Sequence, residues 1–468
     1  MKSARLKMMR WLPEGLLLAA FLYFALRELG TFPAAWADDS LFMLVAKSVA
    51  QGRGYALPIL GYDWAHPTIL AVGPTLIYPV ALAIKLFGFS VAAARIPMTL
   101  FLLGTTVVTY LYVVRTFNRT AARWTAALFI SFSAFINTGK PVLGEIPGFF
   151  FLMLGLLLMQ RGSMSLRSAV MTGIAFGLAV MTKLPFGLIL PALAVAWIVA
   201  AFRRNRDEKR FLLVATVSTA GVALIGSYWM GILEPGFLDE IRIFLFERKS
   251  VVPADRFVPI IARPQELLRM PYAHYALTVI LALVGWWSVR SKVRGSLSVI
   301  LFFVATLFTL YCLNGPGWYR ALLPGTLLLL PFVPAGARAL LGRYGSFALL
   351  GLMVLLQGHW QFTYRGASTS PEAILAAQVL EDQWQNRDLV ILSPEVFVRL
   401  PENARWLFFS EELRDVERQP PALKQRIEQT KCLPVFRKES HEDLERKKGA
   451  YLPVSGRYVV FPAPSDCP

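Results

Sequence analysis

Residues 68–89 read TILAVGPTLIYPVALAIKLFGF. The run is apolar and long enough to cross a bilayer, yet Gly73, Pro74, Pro79 and Lys85 interrupt it. Proline inside a helix removes a backbone hydrogen bond and bends the chain, so this is a poor continuous span. Whether it crosses sets the direction of everything around it. Eleven other apolar runs lie near 12–30, 91–114, 124–139, 143–160, 168–183, 184–202, 211–232, 274–289, 296–313, 319–336 and 344–358. Most reach or approach the ~20 residues that cover the hydrocarbon as a helix. The stretch 168–202 reads as a helical hairpin bent at Lys183-Leu184-Pro185. If 68–89 does not cross, the basic N-terminus (Lys2, Arg5, Lys7, Arg10) shares one side with five basic loops. These hold Arg115/Arg119/Arg123, Arg161/Arg167, Arg203 to Arg210, Arg290/Lys292/Arg294 and Arg338/Arg343. If it crosses, all five move to the opposite side. The positive-inside rule selects the first arrangement: eleven spans, with 68–89 as interfacial or re-entrant helices in an outer loop over 31–90.

Composition agrees with a membrane protein. The 468 residues are 56% hydrophobic and only 17% charged, well below the roughly 25% charged residues of a globular chain. The net charge is nevertheless +18, which in a soluble protein would point to nucleic acid. Here nearly all of the excess lies at the N-terminus and in the five inner loops, so it records orientation and implies no nucleic-acid partner. No Gly-rich phosphate loop stands out. Three cysteines, Cys312, Cys432 and Cys467, are too few for a disulfide scaffold or a multi-cysteine metal site. Cys432 and Cys467 could pair in an oxidising compartment, whereas Cys312 reads as an apolar filler.

From about 359 the patterning becomes that of a soluble domain, with 15 Lys+Arg against 16 Asp+Glu. Helical stretches near 371–384, 421–430 and 440–448 alternate with strand-like runs at 388–392, 405–409, 432–437 and 457–462. The chain therefore divides into a transmembrane domain, 1–358, and a small α/β domain, 359–468, on the outer side. Ala35-Trp36-Ala37 before Asp38 also resembles a signal-cleavage site; a retained first span is the expectation, and the carboxylates that follow end up outside either way.

Charges beside a bilayer are expensive, so those at the outer ends of spans are candidate functional groups. Asp38 and Asp39 open an amphipathic stretch, where two carboxylates can serve as general base, metal ligands or helix caps. Glu145 begins an apolar span, where the simpler explanation is helix-dipole electrostatics. Lys183 stands at the tip of the 168–202 hairpin, where snorkelling is the plainer reading. Arg320 is the one charge in Gly315-Pro316-Gly317-Trp318-Tyr319-Arg320. The long loop 233–273 reads as a substrate cover or a plain connector. Acids and cations at one depth suit an anionic lipid headgroup: a carboxylate can deprotonate a hydroxyl while cations stabilise a departing phosphate.

In this order and spacing the chain resembles the GT-C glycosyltransferases of the dolichyl-phosphate-mannose protein mannosyltransferase and lipid A aminoarabinose transferase type. The resemblance is carried by Asp38-Asp39, Gly73-Pro74 through Tyr78-Pro79, Lys85-Leu86-Phe87-Gly88 and Ala94-Arg95. It continues with Gly144-Glu145-Ile146-Pro147, Thr182-Lys183, Tyr319-Arg320 and Leu323-Pro324. It covers 31–200 well, 296–335 loosely, and not the tail. The implied fold is an α-helical polytopic membrane protein of about eleven transmembrane helices. The implied activity is inverting transfer of a sugar from a polyprenyl-phosphate-linked donor to a hydroxyl on a lipid, glycan or protein acceptor. Asp38 matches the family's base; Asp39 and Glu145 would orient substrate or a divalent metal ion, and Lys183 and Arg320 would hold the phosphate. His66 stands where relatives carry a phosphate-binding Lys. The implied location is the bacterial inner membrane, with a cytoplasmic N-terminus and a periplasmic active site and tail. The competing class, a lipid or glycan transporter or flippase, ordinarily places ionisable groups at the midplane of an internally repeated fold.

Overall fold

A computed structural model describes residues 2–65, 72–160, 164–229, 270–290, 295–314, 319–363, 371–403, 405–409, 421–447 and 449–463. His66, Cys467 and most of the loop 233–273 lie outside the described residues. The chain opens with helix α1 (Lys2–Leu26) and then α2 (Ala37–Ala50). Asp38 and Asp39 in the first turn of α2 favour its N-terminus, and its apolar residues are almost all buried. A hairpin follows, β1 (Ala56–Ile59) and β2 (Tyr62–Ala65). Its two-residue turn, Leu60-Gly61, has φ of 50° and 73°, the double positive φ that matches the twist of paired strands.

The opening run 68–89 contains one helix, α3 (Pro74–Phe87). Gly73 precedes it, Pro74 supplies a fixed φ at its start, and Gly88 ends it at φ 82°. Its 14 residues rise about 21 Å, short of the roughly 30 Å hydrocarbon thickness. One face packs on α2, while Tyr78, Leu82, Leu86 and Phe87 remain exposed.

The bundle continues with α4 (Val91–Thr116), α5 (Arg119–Ser131), α6 (Ser133–Gly139), α7 (Glu145–Gln160), α8 (Leu166–Thr182), α9 (Ile189–Phe202) and α10 (Arg206–Trp229). Helices Met270–Val289, Gly295–Asn314, Tyr319–Leu329 and Val333–Thr363 complete it. Each of the eleven expected apolar runs overlaps helix among the described residues, with 124–139 broken at Phe132; the last two are separated by Gly342, whose φ of 67° breaks the final long element. Among the described residues, five helices are long and apolar enough to cross a membrane, and five more apolar helices are shorter. The chain is a multi-pass membrane protein.

The tail forms a five-stranded sheet in the order β4-β3-β5-β7-β6, from β3 (Leu389–Ile391), β4 (Trp406–Phe408), β5 (Val435–Lys438), β6 (Leu452–Ser455) and β7 (Tyr458–Phe461). The first three strands pair in parallel and the last two pairings are antiparallel. Four of these strands fall on expected runs. The fifth, β6, carries Pro453, which an edge strand tolerates and which hides the strand from pattern reading. Cys432 is disulfide-bonded, and Cys312 is buried and outside any disulfide.

The tail sits on the first loop. Val390, Val398, Phe408, Phe409 and Leu423 share one buried cluster with α2, the hairpin and α3. The Leu60 amide donates to Phe408 O at 2.9 Å. At the C-terminal end of α2, Lys47 pairs with Glu402 at 2.9 Å and Gln51 Nε2 donates to the same carboxylate at 2.7 Å. The tail and the first loop thus pack as one continuous layer.

Candidate active site

Consecutive residues on a helix project about 100° apart, and this separates Asp38 from Asp39. Asp39 turns inward. Its Oδ2 accepts from Arg95 Nη2 on α4 at 2.7 Å, with both side chains fully buried. Its Oδ1 accepts from the Val142 amide at 2.6 Å. Arg95 Nη1 donates to Leu29 O at 3.1 Å and Pro33 O at 2.7 Å, in the segment that joins α1 to α2. Asp39 was expected to act with Asp38 in catalysis or to hold a metal ion. With both oxygens engaged and no exposed surface, it has no face to offer either substrate or metal.

Lys140 works beside this pair. It is buried, and its Nζ donates to Arg27 O at 2.5 Å and Phe24 O at 3.4 Å. These carbonyls lie at and just beyond the C-terminus of α1, where helix carbonyls lack intrahelical partners and a cation is favoured. Burial, aided by the nearby Arg95 charge, holds the Lys140 ammonium down at about 8. Sequence reading assigned neither Arg95 nor Lys140 a role. A charge five residues into an apolar run is the signal that marks Arg95; Lys140 reads as an ordinary loop lysine until α1 is seen above it.

Asp38 turns outward and remains partly exposed. Its Oδ2 lies 2.6 Å from Arg320 Nη1, at the start of helix Tyr319–Leu329. Arg320 is only 14% exposed, against 31% for Asp38, and its guanidinium sits 5.3 Å above the Trp36 ring. Arg320 Nε approaches Glu145 Oε1 at 3.9 Å. The same oxygen accepts from Lys183 Nζ at 2.7 Å. Glu145 Oε2 is buried and has no hydrogen-bond partner among the described residues.

Lys183 owes its position to the local chain. It is extended between α8 and a 3-10 turn, Leu184–Leu188, that begins with Pro185 near its start. It bridges to Val72, and the Gly73 amide donates to Thr182 O at 3.2 Å. The hydroxyls of Thr75 and Thr182 lie 2.7 Å apart, which fastens the start of α3 to the hairpin tip. A Cβ on Gly144 would come within 2.9 Å of Lys183 Cβ and Cδ, so only glycine lets this lysine reach Glu145.

The structure therefore brings Asp38, Glu145, Lys183 and Arg320 together from four distant segments. Two cations flank one buried carboxylate, and the more exposed carboxylate stands at the edge. Among the described residues no three His, Cys, Asp or Glu side chains converge as metal ligands. A divalent ion would have only Glu145 Oε2 and Asp38 beside two fixed cations, which is a poor fit.

Residues 66–229 match the family described as dolichyl-phosphate-mannose-protein mannosyltransferase. No curated protein matches the chain. The structure is similar to ArnT from Cupriavidus metallidurans in the apo state, at 15% identity and TM-score 0.66, covering 97% of this chain and 98% of that one. The fold is that of the GT-C glycosyltransferases. The same GT-C arrangement is found in ArnT bound to undecaprenyl phosphate, at 13% identity, TM-score 0.65, and coverage of 96% and 97%. It recurs in the Archaeoglobus fulgidus oligosaccharyltransferase AglB in complex with an inhibitory peptide and a dolichol-phosphate, at 12% identity and TM-score 0.58. That match covers 98% of this chain and 75% of the other.

Proposed function

We propose that this protein is an inverting glycosyltransferase that moves a sugar from a polyprenyl-phosphate-linked donor to a hydroxyl acceptor. The observation that carries this reading is the meeting of Asp38 and Glu145 with Lys183 and Arg320 at one end of the bundle. Asp38 accepts the proton of the acceptor hydroxyl as its oxygen attacks the anomeric carbon. The bond from that carbon to the phosphate oxygen breaks on the opposite face, and its electron pair leaves with the phosphate. Lys183 and Arg320 hold the lipid phosphate as its charge grows. Glu145 positions both cations through one oxygen, and its buried second oxygen is left to accept from a hydroxyl of the bound sugar. Asp39 with Arg95 braces the loop. The match to the mannosyltransferase family and the undecaprenyl- and dolichol-phosphate named in the neighbouring structures support a polyprenyl donor. The acceptor is a lipid, glycan or protein.

The basic N-terminus and five basic loops on one side support eleven crossings, with the N-terminus cytoplasmic and this site and the tail on the periplasmic face of a bacterial inner membrane. A transporter or flippase would carry its charges at mid-depth, where this chain has few. Purified protein in proteoliposomes, given radiolabelled polyprenyl-phosphate sugars and extracted envelope acceptors, tests the proposal. Free polyprenyl phosphate together with label on an acceptor supports transfer; label that only crosses the bilayer supports transport.

A further inference from the structure

We propose that the Asp38–Arg320 ion pair is a latch opened by the donor's phosphate, so that Asp38 becomes available as a base only after the lipid carrier is seated. The proposal rests on the transferase reading and adds an order of events to it. Four ionisable side chains meet at the site, and they are not equally fixed. Glu145 is 8% exposed and Lys183 13%, joined at 2.7 Å. Arg320 is held from two further directions, by the Trp36 face at 5.3 Å and by Glu145 at 3.9 Å. Asp38, the most exposed of the four, has Arg320 as its only ion-pair partner among the described residues. When an anion enters, Asp38 is therefore the group that yields its place.

A phosphate outcompetes a carboxylate for a guanidinium fork, because it offers more charge and more acceptor oxygens in matching geometry. Seated on Arg320 and Lys183, it displaces Asp38 towards the exposed side. Before that exchange, Asp38 Oδ2 is committed at 2.6 Å to Arg320 and has one oxygen fewer to give an acceptor hydroxyl. After it, like charge repels Asp38 from the phosphate and leaves both oxygens open on the acceptor side. The base is thus withheld while the carrier is absent.

The test measures binding of a polyprenyl phosphate without sugar to the full-length protein in detergent. Wild type, Asp38→Asn, Arg320→Gln and the double variant form a double-mutant cycle. If Asp38 competes for Arg320, Asp38→Asn tightens binding about fivefold, the scale of one partly exposed ion pair. In the Arg320→Gln background the same substitution then changes Kd by less than about twofold. Equal tightening in both backgrounds would mean simple removal of a negative charge and would overturn the latch, as would no tightening in wild type. If Arg320→Gln does not yield folded protein, Arg320→Lys replaces it. The coupling should then fall below its wild-type value because the fork is gone, and an undiminished coupling counts against the proposal. Failure of the transferase reading is seen separately, as sugar transfer that survives Asp38→Asn.

Discussion

The buried pair between Asp39 and Arg95 gives the sharpest prediction about how the site is held. Asp39→Asn keeps the shape of the side chain and an acceptor for the Val142 amide, but removes the charge that compensates Arg95. Both side chains are fully buried, so water cannot replace the lost carboxylate. Breaking one partner of such a pair costs about 3–5 kcal/mol. The lower end applies here, because Arg95 retains Leu29 O and Pro33 O as acceptors. Asp39→Ala should cost roughly 1–3 kcal/mol more, since the Val142 amide is then also left unsatisfied. Replacing both partners, as Asp39→Leu with Arg95→Met, should destabilise by less than the sum of the single changes. Thermal unfolding of the detergent-purified protein, followed by tryptophan fluorescence, reads the order. The melting temperature should fall by a few degrees for Asn, by more for Ala, and should partly recover in the double variant. An Asp39→Asn protein as stable as wild type would refute the bracing role and return Asp39 to the list of groups free to meet substrate.

Three further outcomes follow from the same geometry. Lys183→Ala removes a cation proposed to hold the phosphate and takes from Glu145 its 2.7 Å partner, so donor KM should rise about 10- to 100-fold in steady-state transfer assays, the scale of a hydrogen bond to a charged group. Lys140 is held at about 8 in the fold against an ordinary 10.5. Because the folded value is the lower one, its burial opposes folding most below pH 8 and is relieved as pH rises from 8 to 10.5, by about 3 kcal/mol in all. Lys140→Met should lose that slope when melting temperatures are compared from pH 7 to 10. Phe408→Ala empties part of the cluster joining tail and first loop, at a cost of about 3–5 kcal/mol, and hydrogen exchange at the Leu60 amide should accelerate.

Most of the helical framework was readable because lipid leaves the sequence few choices: long apolar runs become helices, and glycine and proline mark their ends. The run 68–89 illustrates this, since Gly73, Pro74 and Gly88 bound α3 where the pattern broke. Asp38, Glu145, Lys183 and Arg320 were readable for a related reason, as costly charges at span ends. The division of labour between Asp38 and Asp39 was not, because two adjacent identical residues differ only in the direction they face on α2. The hairpin was hidden by its turn, where Leu60 occupies a left-handed conformation that sequence rules reserve for Gly, Asn or Asp. Lys140 was hidden because its function depends on the end of a helix more than a hundred residues earlier in the chain.

The proposed chemistry turns on one side chain. Single-turnover sugar transfer by Asp38→Asn, with the lipid carrier pre-bound and the melting temperature shown to equal wild type, tests it most directly. Loss of the base predicts a rate lowered about 10²- to 10⁴-fold while polyprenyl phosphate still binds. A variant that transfers sugar at the wild-type rate would contradict the account.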